Sequence, residues 1–313
     1  MADHLLTLDS LGRAGVREVL DLSHRFKREP GRHREALVGG RLGMIFDKPS
    51  TRTRVSLEAA AWALGMLPIA LRPDELQLGH GETVADTARV LSRYLSALTI
   101  RTFAQARVAE MAAHSTIPII NALTDDHHPC QALADVMTLE EVFGDVRGRR
   151  VAFVGDGNNV AHSMIQAAGY VGFALVIATP AGYEPQASIV AAARDHAVHS
   201  GGSIELTADP AEAVRGADAV YTDVWASMGK EHERELRRRI FAGYTVDAAM
   251  MAAAAPGAIF LHCLPAHRGD EVTDEVIDGP RSRVWDQAEN RIYTEQALIY
   301  GLVTGDRRGE RLG

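Results

Sequence analysis

Ser50-Thr51-Arg52-Thr53-Arg54 places three hydroxyls and two guanidiniums in five consecutive positions, with Lys48 just upstream. The apolar run Leu42-Gly43-Met44-Ile45-Phe46 before it reads as a buried strand, and the segment after it as a helix from about Arg52 to Leu64. Backbone N–H groups at a helix start, hydroxyl donors and a planar cationic fork at one point can grip a phosphate dianion. A basic, Ser/Thr-rich N-cap on a solvated helix has the same composition, so this segment does not decide the matter alone.

Further polar clusters follow apolar runs. His128-Pro129-Cys130-Gln131 puts an imidazole and a carboxamide three residues apart at a helix start, with Pro129 at the first helical position. Both can address one small polar group: the imidazole donates to a carbonyl, the carboxamide accepts from an NH₂. Gly155-Asp156-Gly157-Asn158-Asn159 follows the strand Val151–Val154 and resembles a dinucleotide fingerprint, but Val160 stands at the third glycine. The next strand ends in Thr179-Pro180, with no acidic residue to hold a ribose, so a nicotinamide site fails two of its tests. The paired asparagines suit the ammonium and carboxylate of an amino acid, or serve only as turn formers and N-cap.

Asp223-Val224-Trp225-Ala226-Ser227-Met228-Gly229 offers a carboxylate at a strand end and a serine four residues later. In His262-Cys263-Leu264-Pro265 the proline pushes Leu264 out of helical geometry, freeing carbonyls 263 and 264 to face a ligand. Cys263 is a candidate nucleophile, metal ligand, polar contact or small buried hydrophobe. His262, Cys263 and His267 lack the spacing of a structural zinc finger, and a distant contribution from His127, His128 and Cys130 stays open.

The elements that must position these residues alternate. Residues 9–28 show helical apolar spacing; 68–71, 97–100 and 117–121 read as strands, 77–82 as a loop, 83–94 as a helix. A helix over 131–143 leads to a second set of strands at 151–154, 175–178, 219–222 and 259–262, then a final helix over 293–303 and a charged tail from Gly305. Strands alternating with helices imply parallel sheets, whose ligands sit beyond the strands' carboxyl ends. The expected fold is α/β, with two doubly wound parallel-sheet domains facing across a cleft and bridged by helices. Residues 1–143, completed by 291–313, form one domain and 144–290 the other.

The chain has 313 residues, 46% hydrophobic and 24% charged, as in a globular protein with two cores. No apolar run approaches the ~20 residues that span a bilayer, and the first residues lack a signal peptide's basic start and apolar core. Two cysteines exclude a disulfide framework and point to the cytoplasm. A net charge of −8 argues against a nucleic-acid partner, so the local positive charge at 48–54 points to a small anion.

Taken together, S-T-R-T, H-P-C-Q, D-x-x-x-S-M-G and H-C-L-P resemble the aspartate/ornithine transcarbamoylase family in its ornithine branch, in the family's order from Ser50 to Arg291. The resemblance implies transfer of a carbamoyl group from carbamoyl phosphate to the δ-amino group of L-ornithine, no metal or organic cofactor, and a homotrimer. Carried over by position, Ser50, Thr51, Arg52 and Thr53 cradle the phosphate and Arg101 adds charge. Gln77 is the contact supplied by a neighbouring subunit. His128 and Gln131 hold the carbamoyl group, Cys263 and Leu264 line the reacting carbon, and Arg291 closes the carbonyl side. Asn159, Asp223, Ser227 and Met228 grip ornithine. Arg52, Arg101, His128 and Cys263 are the catalytic set. The loop Gly79-His80-Gly81-Glu82 lacks the lysine some members carry, and His80 is its candidate substitute. Other acceptors (aspartate, putrescine or N-acetylornithine) and a catalytically silent ligand sensor are the rival readings.

Overall fold

The computed structural model describes residues 4–72, 74, 76–77, 81–226 and 231–312; the expected contacts from His80, Ser227 and Met228 lie outside them. The chain divides into two compact units, Met1–Met137 with Glu289–Gly313, and Thr138–Ala288. The divisions fall inside two helices.

In the first unit the order is α1 (Gly12–Arg28), β1 (Arg41–Phe46), α2 (Thr51–Ala63), β2 (Leu67–Leu71), α3 (Val84–Tyr94), β3 (Ala97–Arg101), α4 (Gln105–His114), β4 (Ile119–Leu123) and α5 (Pro129–Phe143). Among the described residues the four strands form one parallel sheet, ordered β2-β1-β3-β4. Every residue of β3 and β4 is buried, because helices packed on both faces leave a parallel sheet no wet side. Ile45, Leu98, Ile100 and Ile119 meet Val108 and Met111 of α4 in its core.

The second unit runs β5 (Arg150–Val154), α6 (Asn159–Val171), β6 (Ala174–Ala178), α7 (Ala187–Ser200), β7 (Ser203–Thr207), α8 (Pro210–Val214), β8 (Ala219–Thr222), α9 (Arg234–Ile240), α10 (Ala248–Ala253), β9 (Ile259–Leu261), α11 (Asp274–Ile277) and the start of α12 (Val284–Thr304). Its strands are also all parallel, ordered β7-β6-β5-β8-β9. Val154, Val176, Val220 and Phe260 pack with Trp225 and Phe241. Complete burial of one such side chain contributes about 1.5–3 kcal/mol.

Several elements differ from the sequence reading. The fourth expected strand, 117–121, lies at Ile119–Leu123, since Pro118 has no N–H to give a ladder. The strand expected over 259–262 stops at Leu261, and the His262 N–H leaves the ladder for Gln287 Oε1 at 3.0 Å. The final helix begins at Val284, well before 293. Its buried face includes Gln287, Asn290, Arg291, Thr294 and Glu295, so polar residues occupy the core-facing positions and hide the period. The tail after Gly305 is tied down: Asp306 accepts N–H groups from Glu310 and Arg311 at 3.0 and 2.9 Å. Arg25 donates to the carbonyls of Gly309 and Leu312, both at 3.0 Å. The edge strand β7, half polar, was not anticipated at all.

Gly157 explains why the incomplete dinucleotide fingerprint is no nucleotide site. A Cβ built there would lie 2.3 Å from the Pro185 nitrogen and 2.6 Å from the Glu184 carbonyl carbon. The space a fingerprint glycine leaves for a pyrophosphate is filled by the protein's own backbone. Gly157→Ala is therefore expected to lower stability by about 1–3 kcal/mol, as overpacking against immovable backbone does. A urea midpoint equal to that of the wild type would show that the approach is not tight.

Candidate active site

Both sheets reverse their strand order once; Ser50–Thr53, Arg101, Asn158 and Asp223 lie at the ends of the strands that flank the reversals, while His128 and Cys263 follow the next strands outward, β4 and β9. In the first unit the reversal lies between β1 and β3, whose register pairs Phe46 with Arg101. Crossovers leaving adjacent strands in opposite directions open a crevice at the carboxyl ends, the usual ligand position of such sheets. Ser50 caps α2 there, its hydroxyl accepting the Thr53 N–H at 3.2 Å. Arg101 Nη1 donates to Thr53 Oγ1 at 3.4 Å, and Arg291 Nη2 makes a long contact of 3.5 Å with the same hydroxyl. Thr53, Arg101, His128, Gln131 and Arg291 are buried, while Arg52 is half-buried and Thr51 exposed.

His128 is held well below the ordinary histidine value of 6.5, first by burial and then by the guanidiniums of Arg291, Arg101 and Arg52. The imidazole is thus neutral, with one nitrogen a donor and the other an acceptor. Three guanidiniums thus act on an imidazole that carries no charge of its own. Gln131 Oε1 accepts from Arg291 Nη1 at 2.8 Å, and its Nε2 donates to Asp135 Oδ1 at 2.7 Å. Arg291 also donates through Nε and Nη2 to Glu295 Oε1, at 3.0 and 2.5 Å. Burial pushes the Glu295 carboxyl up, while Arg291 and the Ser56 hydroxyl pull it down. Cys130 packs in this unit as an inert thiol, pushed up to about 12 by burial.

In the second unit the reversal falls between β5 and β8. Thr222 Oγ1 donates to the Val154 carbonyl at 2.6 Å, closing the two strand ends together. Asn158 caps α6, its Oδ1 accepting the N–H groups of Val160 and Ala161 at 2.9 and 3.1 Å. Its Nδ2 donates to Asp223 Oδ2 at 2.8 Å, so one asparagine anchors a helix and aims a carboxylate. Cys263 Sγ donates to the other Asp223 oxygen at 3.0 Å. Asn159, the residue assigned to ornithine by motif register, is buried in the first turn of α6.

Leu264 has a φ of +59°, and its N–H donates to His262 Nδ1 at 2.8 Å. A backbone N–H can only donate, so Nδ1 accepts and the ring proton sits on Nε2, facing Glu271 Oε1 at 3.3 Å. Glu271, fully buried, thereby fixes the tautomer that holds the Cys263-Leu264 turn. Arg237 donates to Asp156 at 2.7 Å and to the Trp225 carbonyl at 2.6 Å, fastening the chain ahead of Ser227. Sequence reasoning did not reach Glu271, Arg237 or Glu295; Glu295, four residues after Arg291, and Arg237, four after Glu233, carry the spacing signal of a helical ion pair.

Asp223, His262 and Cys263 also bring three metal-type donors within 4.8 Å of one another, as do His267, Asp270 and Glu271. In the first group a metal would have to displace the thiol proton and the Leu264 N–H; in the second, Asp270 is already paired with Arg234 and Arg238. Gln77 is exposed.

Two family models match the chain: aspartate/ornithine carbamoyltransferase, carbamoyl-P binding domain, over residues 3–141, and the Asp/Orn binding domain of the same family over 147–302. The ornithine carbamoyltransferase of Gloeobacter violaceus is 49% identical over 301 residues, 96% of either chain. The anabolic ornithine carbamoyltransferase of Pyrococcus furiosus is 50% identical over 303 residues, again 96% of each. The solved ornithine carbamoyltransferase structure from Pyrococcus furiosus is similar with a TM-score of 0.93 at 49% identity, covering 97% of both chains. That from Thermus thermophilus gives 0.88 at 41% identity, covering 97% of this chain and 99% of the other.

The neutral His128 has a consequence for stability. Its folded pKa lies below its unfolded one, so on acidification the unfolded chain takes up a proton that the folded chain refuses. Stability from this residue is intact above about pH 6.5 and falls by about 1.4 kcal/mol per pH unit below it, until the folded protein protonates too. Urea unfolding at pH 7.5, 6.5 and 5.5 is expected to show a steeper acid loss in the wild type than in His128→Asn. Parallel losses would mean that His128 takes up its proton equally readily in the folded and unfolded chains.

Proposed function

The chain belongs to the aspartate/ornithine carbamoyltransferase family, and we propose that it acts as an ornithine carbamoyltransferase, making L-citrulline and phosphate from L-ornithine and carbamoyl phosphate. The observation that carries the chemistry is the neutral His128, between β4 and α5, with the charges of Arg52, Arg101 and Arg291 acting on it. Such a site stabilises a dianionic phosphate and, through an uncharged N–H, the oxygen of the carbonyl attached to it.

In this reading Ser50, Thr51, Arg52 and Thr53 hold the phosphate, Arg101 lies against phosphate and carbonyl oxygen, and His128, Gln131 and Arg291 orient the carbamoyl group. Cys263 and Leu264 face the reacting carbon, with the Leu264 carbonyl accepting from the carbamoyl NH₂. Asn159, Asp223, Ser227 and Met228 bind ornithine. Asn158 belongs beside them, because it fixes Asp223.

The δ-amine, which must be neutral to attack, adds to the carbamoyl carbon. A C–N bond forms, the carbonyl oxygen gains charge in the tetrahedral intermediate, and the C–O bond to phosphate breaks. The amine's proton leaves with the phosphate, so the balance closes without a redox partner. Donors already in place where charge develops, on the carbonyl oxygen and the departing phosphate, lower the barrier without reorganising. Asp223, held from one side by Asn158 and from the other by the Cys263 thiol, attracts the ornithine ammonium and orients it as it gives up one proton to solvent, which leaves the neutral amine. The thiol acts as a hydrogen-bond donor in this scheme, with no covalent adduct.

A homotrimer in a reducing cytoplasm, feeding citrulline to arginine biosynthesis, completes the proposal. Gln77, exposed on this chain, is available to a neighbouring copy. Trp62 at 56% and Tyr94 at 60% exposure are apolar surface in the first unit that such an assembly would cover.

Citrulline formation from carbamoyl phosphate is expected with L-ornithine and not with putrescine, L-aspartate or N-acetyl-L-ornithine. Turnover of another amine would reassign the second-unit ligands, and carbamoyl phosphate binding without any turnover would identify a sensor. Arg101→Ala is expected to lower kcat by about 10²–10³-fold, the usual loss of one transition-state donor. Asp223→Asn should raise the KM for ornithine at least about tenfold while leaving carbamoyl phosphate affinity at the wild-type value. Equal losses for both ligands would remove Asp223 from the ornithine site.

A further inference from the structure

We propose that Glu295 is the positioning residue that aims Arg291 and keeps it at the carbamoyl end of the ligand. The inference rests on the reading above and adds a residue to it. Arg291 and Glu295 lie one turn apart on α12, with side chains only 4% and 1% exposed. An ion pair so deep is no surface ornament: removing one partner would strand the other's charge away from water.

The geometry assigns the guanidinium's hydrogens nearly completely. A guanidinium has five N–H donors in a rigid plane. Nε and one Nη2 hydrogen go to Glu295 Oε1 at 3.0 and 2.5 Å, and one Nη1 hydrogen goes to Gln131 Oε1 at 2.8 Å. The remaining Nη2 hydrogen makes the long contact with Thr53 Oγ1 at 3.5 Å. One Nη1 hydrogen is left, next to the carboxamide that the reading places on the carbamoyl group. Gln131 is itself held by Asp135, which is fully buried. Glu295 and Asp135 therefore clamp the Arg291–Gln131 pair from both ends.

Charge gives the clamp its purpose. Arg52, Arg101 and Arg291 all act on His128, so three cations share one neighbourhood. A guanidinium without an anionic partner there would be drawn onto the phosphate, the strongest negative charge available. Glu295 holds one of the three back and lowers the positive charge that the phosphate meets. It thereby divides the cations between leaving group and carbonyl.

The test uses the full-length enzyme at about pH 8, with inorganic phosphate as the probe. Wild-type citrulline formation is measured first; its absence would overturn the activity itself rather than this residue's role. In Glu295→Gln the shape stays and the charge goes. Its kcat is expected to fall about 10- to 100-fold, as for a misplaced orienting group, while inhibition by phosphate tightens several-fold. A merely structural residue would not tighten phosphate binding, and wild-type values for both quantities would overturn the proposal. Should that variant not fold, Glu295→Asp carries the test, since it keeps the charge but withdraws it by one methylene. Its kcat is then expected to fall with phosphate inhibition unchanged, and a wild-type kcat would overturn the role.

Discussion

Everything chemical in this protein depends on a constraint of parallel sheets: where strand order reverses, neighbouring crossovers depart in opposite directions and leave the strand ends open. The chain meets that condition twice, between β1 and β3 and between β5 and β8. At the first it places Ser50–Thr53 and Arg101; at the second, Asn158 and Asp223. The strands themselves need only be short and apolar, so the demanding residues are confined to the loops that follow them. A rigid sheet beneath each loop then holds those residues still.

The second physical theme is the management of buried charge. The first unit concentrates cations and keeps its histidine neutral, so the imidazole adds a donor without adding repulsion. Arg291 is offset by Glu295 and steered by Gln131. The second unit does the reverse, presenting Asp223 with both oxygens already engaged by Asn158 and Cys263. A unit that gathers cations and a unit that presents a carboxylate thus use the same device. Each supplies its charged group with partners of its own, so that the group is ordered before a ligand arrives.

How much of this was legible in the sequence varies with the kind of signal. The strand-to-loop motifs at Ser50, His128, Asp223 and His262 could be read, because each combines an apolar run with an abrupt polar cluster. The parallel α/β class followed from the alternation. The start of α12 could not be read, since Gln287, Asn290, Arg291 and Glu295 occupy its buried face where periodicity looks for apolar residues. The contacts that give Glu271 and Arg237 their roles were invisible for another reason: those with His262, Asp156 and the Trp225 carbonyl depend on tertiary structure. Nor could the double role of Asn158 be read, as a cap is local but its grip on Asp223 spans two strands. Gly157 shows the same limit from the other side, for its motif suggested one use of a glycine and the Pro185 backbone makes another.

The discontinuity of the first unit has a consequence for the order in which the protein is made. The second unit, Thr138–Ala288, is one uninterrupted stretch, whereas the first is finished only by Glu289–Gly313. On the ribosome the early 137 residues emerge first yet must wait for the last helix before their core is complete. Arg291 and Glu295 arrive with that helix, after the whole of the second unit. A nascent chain interrupted anywhere before them carries Arg52, Arg101 and His128 but not the ion pair that accompanies them. Arg291 therefore joins Arg52, Arg101 and His128 only in chains synthesised past Glu295, so the path of the polypeptide makes this grouping of charges wait until the whole second unit has been translated.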